Sequence, residues 1–319
     1  MHNVTASLIV PFRISADMDR SAMLDALVLG LPDREDLEVL LVDDGSTLTY
    51  LPPTSAHTRL RLLRLPQGRQ FAGQARNLAI DLASGDWLIF ADSDDLLDCD
   101  GLESLLSGMT KGDWDGFDLL VPYALSFRDD NPSRSGRRHR FCNRRVARVR
   151  RSGDLAGLVR LPACWMRVVR RSFVKTAGVR FGSTPMAEDI DFAVDLGLAH
   201  PRAELLDFVL PVIREGNDSL SRRLDASACA LVLSVKLAAN ARLRAGGLGR
   251  WQYPLLLDLL ALMRCAPVTG GRWLLRLLTS GGRLFPSVAD LREAFQERLR
   301  KDPVPMRAVI LNQSGRDRP

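Results

Sequence analysis

Apolar residues along this chain fall into short unbroken runs that alternate with stretches of helical spacing. Ser7-Leu-Ile-Val-Pro-Phe12, Leu37-Glu-Val-Leu-Leu-Val42 and Trp87-Leu-Ile-Phe-Ala91 are each too short for a helix and almost wholly apolar. Such runs predict buried strands of a covered sheet. Between them, Met18 to Leu31 carries Met23, Leu24, Leu27, Val28 and Leu31 at helical spacing and stops at Pro32, while Gly73 to Ala83 predicts a second helix. Arg59 to Leu65 alternates basic and apolar residues, as a more exposed strand would. The alternation of strand and helix predicts a parallel, doubly wound α/β sheet.

Further on, helices are predicted at Arg171 to Ala177 and Glu188 to Ala199, and a strand at Val209-Leu-Pro-Val-Ile213. Beyond Ser221 the pattern turns helical, at Asp225 to Arg244, Trp251 to Arg264, Gly271 to Thr279 and Val288 to Arg300. The tail from Gln313 reads as disordered. The expected division is therefore 1–115, 116–223 and a helical 224–319.

The chain has 319 residues, 46% hydrophobic and 26% charged, the composition of a globular protein. Its five cysteines are scattered with no C-x-x-C pair, which indicates neither a disulfide framework nor a zinc site, and its four histidines show no ligand spacing. Met1-His-Asn-Val-Thr5 lacks a basic leader, and no uncharged apolar run is long enough to span a bilayer, so a reducing cytosol is expected. A net charge of +6 favours anionic partners. Ten arginines crowd residues 128–151, expected as a basic loop that is either solvated or a clamp for phosphates or a membrane edge. Phe141 alone of the aromatics interleaves with them, too few stacking platforms for nucleic acid.

The chemistry gathers at the strand ends. Trp87 to Ala91 gives way to Asp92-Ser93-Asp94-Asp95, and the second strand ends in Asp43-Asp44-Gly45-Ser46. Ligands of open α/β sheets bind beyond the carboxyl ends of strands. Carboxylates crowded there repel one another, and a hard divalent cation, Mg²⁺ or Mn²⁺, brought with a substrate's phosphates, would relieve them. The same residues would also serve as a solvated turn, with Asp95 or Asp98 capping the next helix.

Taken in order, Val10-Pro11-Phe12, Leu41-Val-Asp43-Asp44-Gly45-Ser46-Thr47, Gly73-Gln-Ala75-Arg76-Asn77 and Phe90-Ala-Asp92-Ser93-Asp94-Asp95 resemble glycosyltransferase family 2. Cys164-Trp165, Arg170-Arg171-Ser172-Phe173, Gly178-Val-Arg-Phe181, Ala187-Glu188-Asp189, Ile213-Arg-Glu-Gly216 and Ser219-Leu-Ser221 resemble the acceptor half of its bacterial polysaccharide enzymes. The resemblance, over about residues 6 to 223, implies a GT-A fold with a C-terminal helical extension and an inverting transfer of the hexosyltransferase type. The donor would be a nucleotide-sugar, UDP-linked by preference, and the acceptor a glycan or lipid-linked glycan of bacterial surface polysaccharide synthesis at the cytoplasmic face of the inner membrane.

It further implies a donor site of Pro11, Phe12, Asp43, Asp44, Arg76, Asp92 and Ser93, with Asp44 on the base and Arg76 near base or phosphate. Asp94 and Asp92 would hold Mn²⁺ or Mg²⁺, Asp189 would be the general base tuned by Glu188, and Trp165 and Arg170 would meet the acceptor. Phe12-Arg13 stands where Tyr-Asn is common in the family, and Met166-Arg167 where Asn-Lys is. The arginine cluster and the Trp/Arg-flanked C-terminal helices would provide peripheral contact with an anionic membrane. Two other classes fit parts of the pattern: a non-catalytic nucleotide- or glycan-binding module, and a nucleotidyltransferase. The latter usually has a glycine-rich loop after its first strand, where Phe12 to Asp17 has no glycine.

Overall fold

A computed structural model describes residues 4–53, 57, 59–65, 71–216, 225–280, 283–288, 291–292 and 295. The expected motif at Ser219 to Ser221, most of the helix at Val288 to Arg300 and the tail lie outside the described residues. The first half is built as the sequence predicts: β1 (Ala6–Phe12), α1 (Ser21–Leu29), β2 (Leu37–Asp43), β3 (Leu60–Arg64), α2 (Ala72–Leu82) and β4 (Trp87–Phe90). Then come β5 (Leu96–Leu97), α3 (Cys99–Lys111), β6 (Leu119–Arg128), β7 (Asn131–Ser135), α4 (Arg138–Ser152), β8 (Val168–Arg170), α5 (Arg171–Thr176), α6 (Glu188–Leu198) and β9 (Ala203–Glu215). Helices α7 (Ala226–Ala245), α8 (Leu256–Cys265) and α9 (Pro267–Thr279) follow.

All strands join one sheet in the order β3-β2-β1-β4-β8-β6-β9-β5, with β7 on β6. β3, β2, β1 and β4 are parallel. β8 is antiparallel to both β4 and β6, and β9 runs parallel to β6. The sheet is thus mixed in its second half. Even so, β1, β2, β4, β6 and β9 all point the same way, so their carboxyl ends share one edge. The pairing of Phe12 with Asp43 and of Ile9 with Phe90 puts Phe12, Asp43 and the turn after β4 side by side there.

Successive side chains of a strand face opposite sides, and both sides are covered. Ile9, Leu40, Val42 and Leu88 pack with Ala75, Ala79 and Ile80 of α2, Val146 of α4 and Phe192 of α6. Leu8, Val10, Val39 and Leu41 pack with Leu24, Leu27 and Val28 of α1 and Leu102, Leu105 and Leu106 of α3. This two-sided burial is why the strands read as continuous apolar runs. Gly101 presses α3 onto β9, where a Cβ would lie 1.8 Å from the Val209 carbonyl oxygen, and Asp98 caps α3 by accepting from Gly101 N at 2.9 Å.

The expected basic loop at 128–151 is instead mostly α4. Its arginines conceal an apolar stripe, Cys142, Val146 and Val149, at helical spacing. The buried Asn143 adds a polar tie: its Nδ2 donates to Ala124 O at 2.8 Å and its Oδ1 accepts from Ala124 N at 2.9 Å. Those bonds occupy two backbone groups of β6 that would otherwise be costly to bury. In the C-terminal region α7 is the one described helix long and apolar enough to cross a membrane. Here it packs against α6 through Val235, Ala239 and Leu243 and against α8 through Leu233 and Leu237. Lys236 pairs with Asp258 at 2.7 Å, and Arg242 pairs with Asp191 and Asp195.

Candidate functional site

Beyond the shared carboxyl edge, Gly45 takes a left-handed φ of 77°, which lets the chain turn sharply after β2. Asp43 is spent on that turn: its Oδ1 accepts from Ser46 N at 2.7 Å, and Ser46 Oγ accepts from Ile14 N at 2.8 Å. Asp44 is different. Its backbone N donates to Phe12 O at 2.7 Å, but its Oδ1 is buried with no hydrogen-bond partner among the described residues. Burial pushes its carboxyl up to about 6, against the pull of Arg13 and with repulsion from Asp43. A buried carboxylate oxygen left without a partner at the ligand-binding edge of a sheet is what a ligand's donor would satisfy.

Arg76 occupies the centre of the site, on α2, almost wholly buried. Its Nη2 donates to Asp92 Oδ1 at 2.6 Å, and its Nη1 to Glu188 Oε1 at 3.0 Å and Asp189 Oδ1 at 3.4 Å. Phe181 lies under the guanidinium at 5.3 Å. Neighbouring residues of the same helix explain how a segment over a hundred positions away is brought here. Asn77 Nδ2 donates to Phe181 O at 3.0 Å and its Oδ1 accepts from Phe181 N at 2.9 Å. Gly73 permits the close approach, since a Cβ there would meet Gly182 O at 2.2 Å. Arg76 is therefore the counter-ion of three carboxylates, with its charge already engaged.

Ala187, at φ 62°, turns the chain into α6 through a conformation that costs a non-glycine residue about 1 kcal/mol. Glu188, Asp189 and Asp191 then fill the first helical turn, where the helix dipole favours negative charge. Burial pushes the Asp189 carboxyl up to about 7, opposed by Arg76 and reinforced by Glu188 and Asp92. Its Oδ2 accepts from Cys164 N at 3.4 Å. Asp191 and Asp195, on the same helix, are tied to Arg242.

In the turn after β4, Asp92, Asp94 and Asp95 each offer a carboxylate oxygen, all within 4.8 Å of one another. Burial and the neighbouring carboxylates raise Asp94 and Asp95 above the usual range, with Arg20 opposing the shift at Asp94. Asp94 Oδ2 accepts from Arg20 Nη1 at 2.6 Å, and Asp95 Oδ1 accepts from Arg214 N at 2.9 Å. An all-oxygen set with excess negative charge fits a hard divalent cation such as Mg²⁺ or Mn²⁺. Ser93 lies half-buried in the same turn, and Pro11 and Phe12 end the adjacent strand.

Two residues expected at the acceptor are placed elsewhere. Trp165 is in the apolar core, only 6% exposed. Arg170 pairs across the sheet with Trp87, at the start of β4 and thus the opposite edge, ~16 Å of strand from Asp92. Its guanidinium stacks on Trp87 at 4.4 Å and donates to Phe117 O and Trp114 O at 2.9 and 3.0 Å. The sequence reading also missed Arg20 and Arg214. Arg214 lay within the quoted Ile213-Arg-Glu-Gly216 stretch without a role of its own, and Arg20 belongs to no local pattern.

The model of glycosyl transferase family 2 matches residues 7–178, more than half of the chain. A poly(ribitol-phosphate) beta-glucosyltransferase of Bacillus spizizenii is 33% identical over 104 residues, a match that spans 31% of this chain and 16% of that protein. S. aureus TarS 1–349 superposes with a TM-score of 0.54 at 15% identity, covering 92% of this chain and 78% of that one. The same protein in complex with UDP gives 0.52 at 17% identity, covering 82% and 70%. These structures share the α/β fold, helical C-terminal region included. With the family match running from β1 to α5, the chain belongs to glycosyl transferase family 2.

Proposed function

We propose that this chain is an inverting, metal-dependent glycosyltransferase that moves a sugar from a UDP-linked donor to a glycan or lipid-linked acceptor in bacterial surface-polymer synthesis. The reading rests on one juxtaposition: an unpartnered buried carboxylate, a cation-competent aspartate turn and a carboxylate of raised pKa, all at one edge of the sheet. Asp44 accepts an N–H from the base, Asp43 keeps the turn that presents it, and Pro11 and Phe12 floor the pocket. Asp94 and Asp92 hold Mn²⁺ or Mg²⁺, which when bound neutralises charge on the departing diphosphate. Asp189 takes the proton of the acceptor hydroxyl, a weak nucleophile until deprotonated. Glu188 and Arg76 set its ionisation and keep it in place. A displacement of this kind needs the base on the sugar face away from the leaving group, and Asp189 enters from α6, a segment separate from the β4 turn.

The bound UDP and UDP-GlcNAc of the TarS complexes support a UDP-sugar donor, and the Bacillus relative's name supports a polyol-phosphate polymer as acceptor. In this reading residues 1–115 carry the donor, 116–223 the base and acceptor surface, and 224–319 a helical extension. The exposed Leu257, Val268, Leu275 and Leu278 beside Arg272 and Arg276 support contact of that extension with an anionic membrane at the cytoplasmic face. Loss of anionic-liposome binding in a Leu275→Glu, Leu278→Glu variant is the expected sign of it.

The deciding experiment is hydrolysis of a nucleotide-sugar panel with Mn²⁺ or Mg²⁺, comparing wild type, Asp94→Ala and Asp189→Ala. Slow metal-dependent release of one nucleotide, lost in both variants, is expected. Nucleotide binding without turnover, even with polymer acceptors supplied, would replace the enzyme by a binding module.

A further inference from the structure

We infer that Arg20 is a displaceable counter-ion of Asp94, competing with the divalent cation for that carboxylate. The inference rests on the reading of Asp94 as a cation ligand. Three arginines reach the aspartate turn: Arg214 Nε donates to the Asp94 carbonyl at 3.0 Å, while Arg76 and Arg20 pair with its carboxylates and differ in kind. Arg76 is a fixed part of the core, its side chain 4% exposed and shared among three carboxylates. Arg20 has one ion pair among the described residues, to Asp94 at 2.6 Å, and the two side chains keep 22% and 31% of their surface in water. A pair this accessible opens at little cost, because solvent and ions replace the contact.

The backbone around Arg20 suits a side chain that comes and goes. The segment after β1 is pinned before it: Ile14 O accepts from Thr47 N at 3.0 Å, and Ser15 and Met18 exchange backbone hydrogen bonds of 3.2 and 2.9 Å. It is pinned after it by Leu24, Leu27 and Val28, which seat α1 on the sheet. Arg20 itself is the N-cap residue of α1, a helix with no acidic residue in its first turn. A cation at a helix N-terminus is opposed by the dipole, and arginine is a poor cap. Helix α1 uses the Arg20 carbonyl, which accepts from Met23 N and Leu24 N, but gains nothing from the side chain, and Asp19 already accepts from Ser21 N at 2.9 Å. What holds the guanidinium in this disfavoured place is Asp94, across 74 residues of sequence.

The consequence is a site whose affinity for a bare cation is held down. A ligand that needs a minority state binds more weakly in proportion to that state's population. For a partly exposed ion pair worth about 1 kcal/mol, the open fraction is about one in six, so removing Arg20 is expected to tighten cation binding about sixfold.

The test is Mn²⁺ binding to the full chain without nucleotide, followed by calorimetry and by the Mn²⁺ electron paramagnetic resonance signal. Arg20→Ser supplies a better N-cap and removes the competitor, and Arg20→Gln keeps the length without the charge. Both are expected to bind Mn²⁺ about sixfold tighter than wild type with the thermal transition of α1 and the sheet retained, while Arg20→Lys stays near wild type. Unchanged or weaker Mn²⁺ affinity in both neutral variants would overturn the inference if Asp94→Asn abolishes binding. Mn²⁺ binding that survives Asp94→Asn would instead overturn the cation-ligand reading, and the inference with it.

Discussion

Replacing Arg76 by methionine should test whether the site is held together by charge. Methionine keeps much of the aliphatic volume on Phe181 but removes the guanidinium that contacts Asp92, Glu188 and Asp189 at 2.6, 3.0 and 3.4 Å. At an effective dielectric of about 20, unit charges about 4 Å apart attract by about 4 kcal/mol. Breaking a buried pair from one side costs about 3–5 kcal/mol, because the remaining charge is left uncompensated. Here the carboxylates retain 32%, 15% and 24% of their surface in water. That exposure reduces the expected loss to about 2–4 kcal/mol.

The sign with pH follows from Asp189, which burial pushes up to about 7 even with Arg76 pulling it down. Without Arg76 it rises further above its unfolded value. A raised carboxylate contributes stability that is full in acid and is lost as the pH climbs through the folded pKa. Urea unfolding of wild type and Arg76→Met should therefore differ most at about pH 8 and converge toward about pH 5. An equal deficit at both pH values would refute the electrostatic argument and leave packing on Phe181 as the role of Arg76.

Asp189→Asn is expected to lower transfer by at least about 100-fold, and the wild-type rate to rise with pH and level off above about 7, where the base is ionised. Nucleotide affinity, read by calorimetry, should fall about tenfold between about pH 7 and pH 5 as Asp44 protonates near 6, and Asp44→Asn should remove that step. Since the Asp44 carboxyl is raised, its contribution to the ligand-free fold is present in acid and lost above about 6, so Asp44→Asn should not destabilise the protein at neutral pH. Asn143→Ala leaves both backbone groups of buried Ala124 unpaired and should cost about 2–3 kcal/mol in denaturant unfolding, with α4 loosening first. A loss below about 0.5 kcal/mol would mean that α4 docks through its apolar stripe alone.

Features written at short range were legible in the amino-acid order alone. Burial on both faces made β1, β2 and β4 legible as unbroken apolar runs, and parallel strands share an edge, so Asp43, Asp44, Asp92 and Asp94 could be placed together from their positions at strand ends. The apolar stripe of α4 was hidden beneath seven arginines because charge dominates composition while only three buried apolar positions decide the helix. β8 is three residues long, too short for any period to show. Tertiary structure decided the rest. It made Arg76 a counter-ion, singled out Asp189 by tying Asp191 and Asp195 to α7, sent Arg170 to the far edge, and brought Arg20 onto Asp94. Each of these is an ion pair or stack between segments distant in the chain, and its partner is chosen by how helices pack on the sheet, which no local pattern of residues encodes.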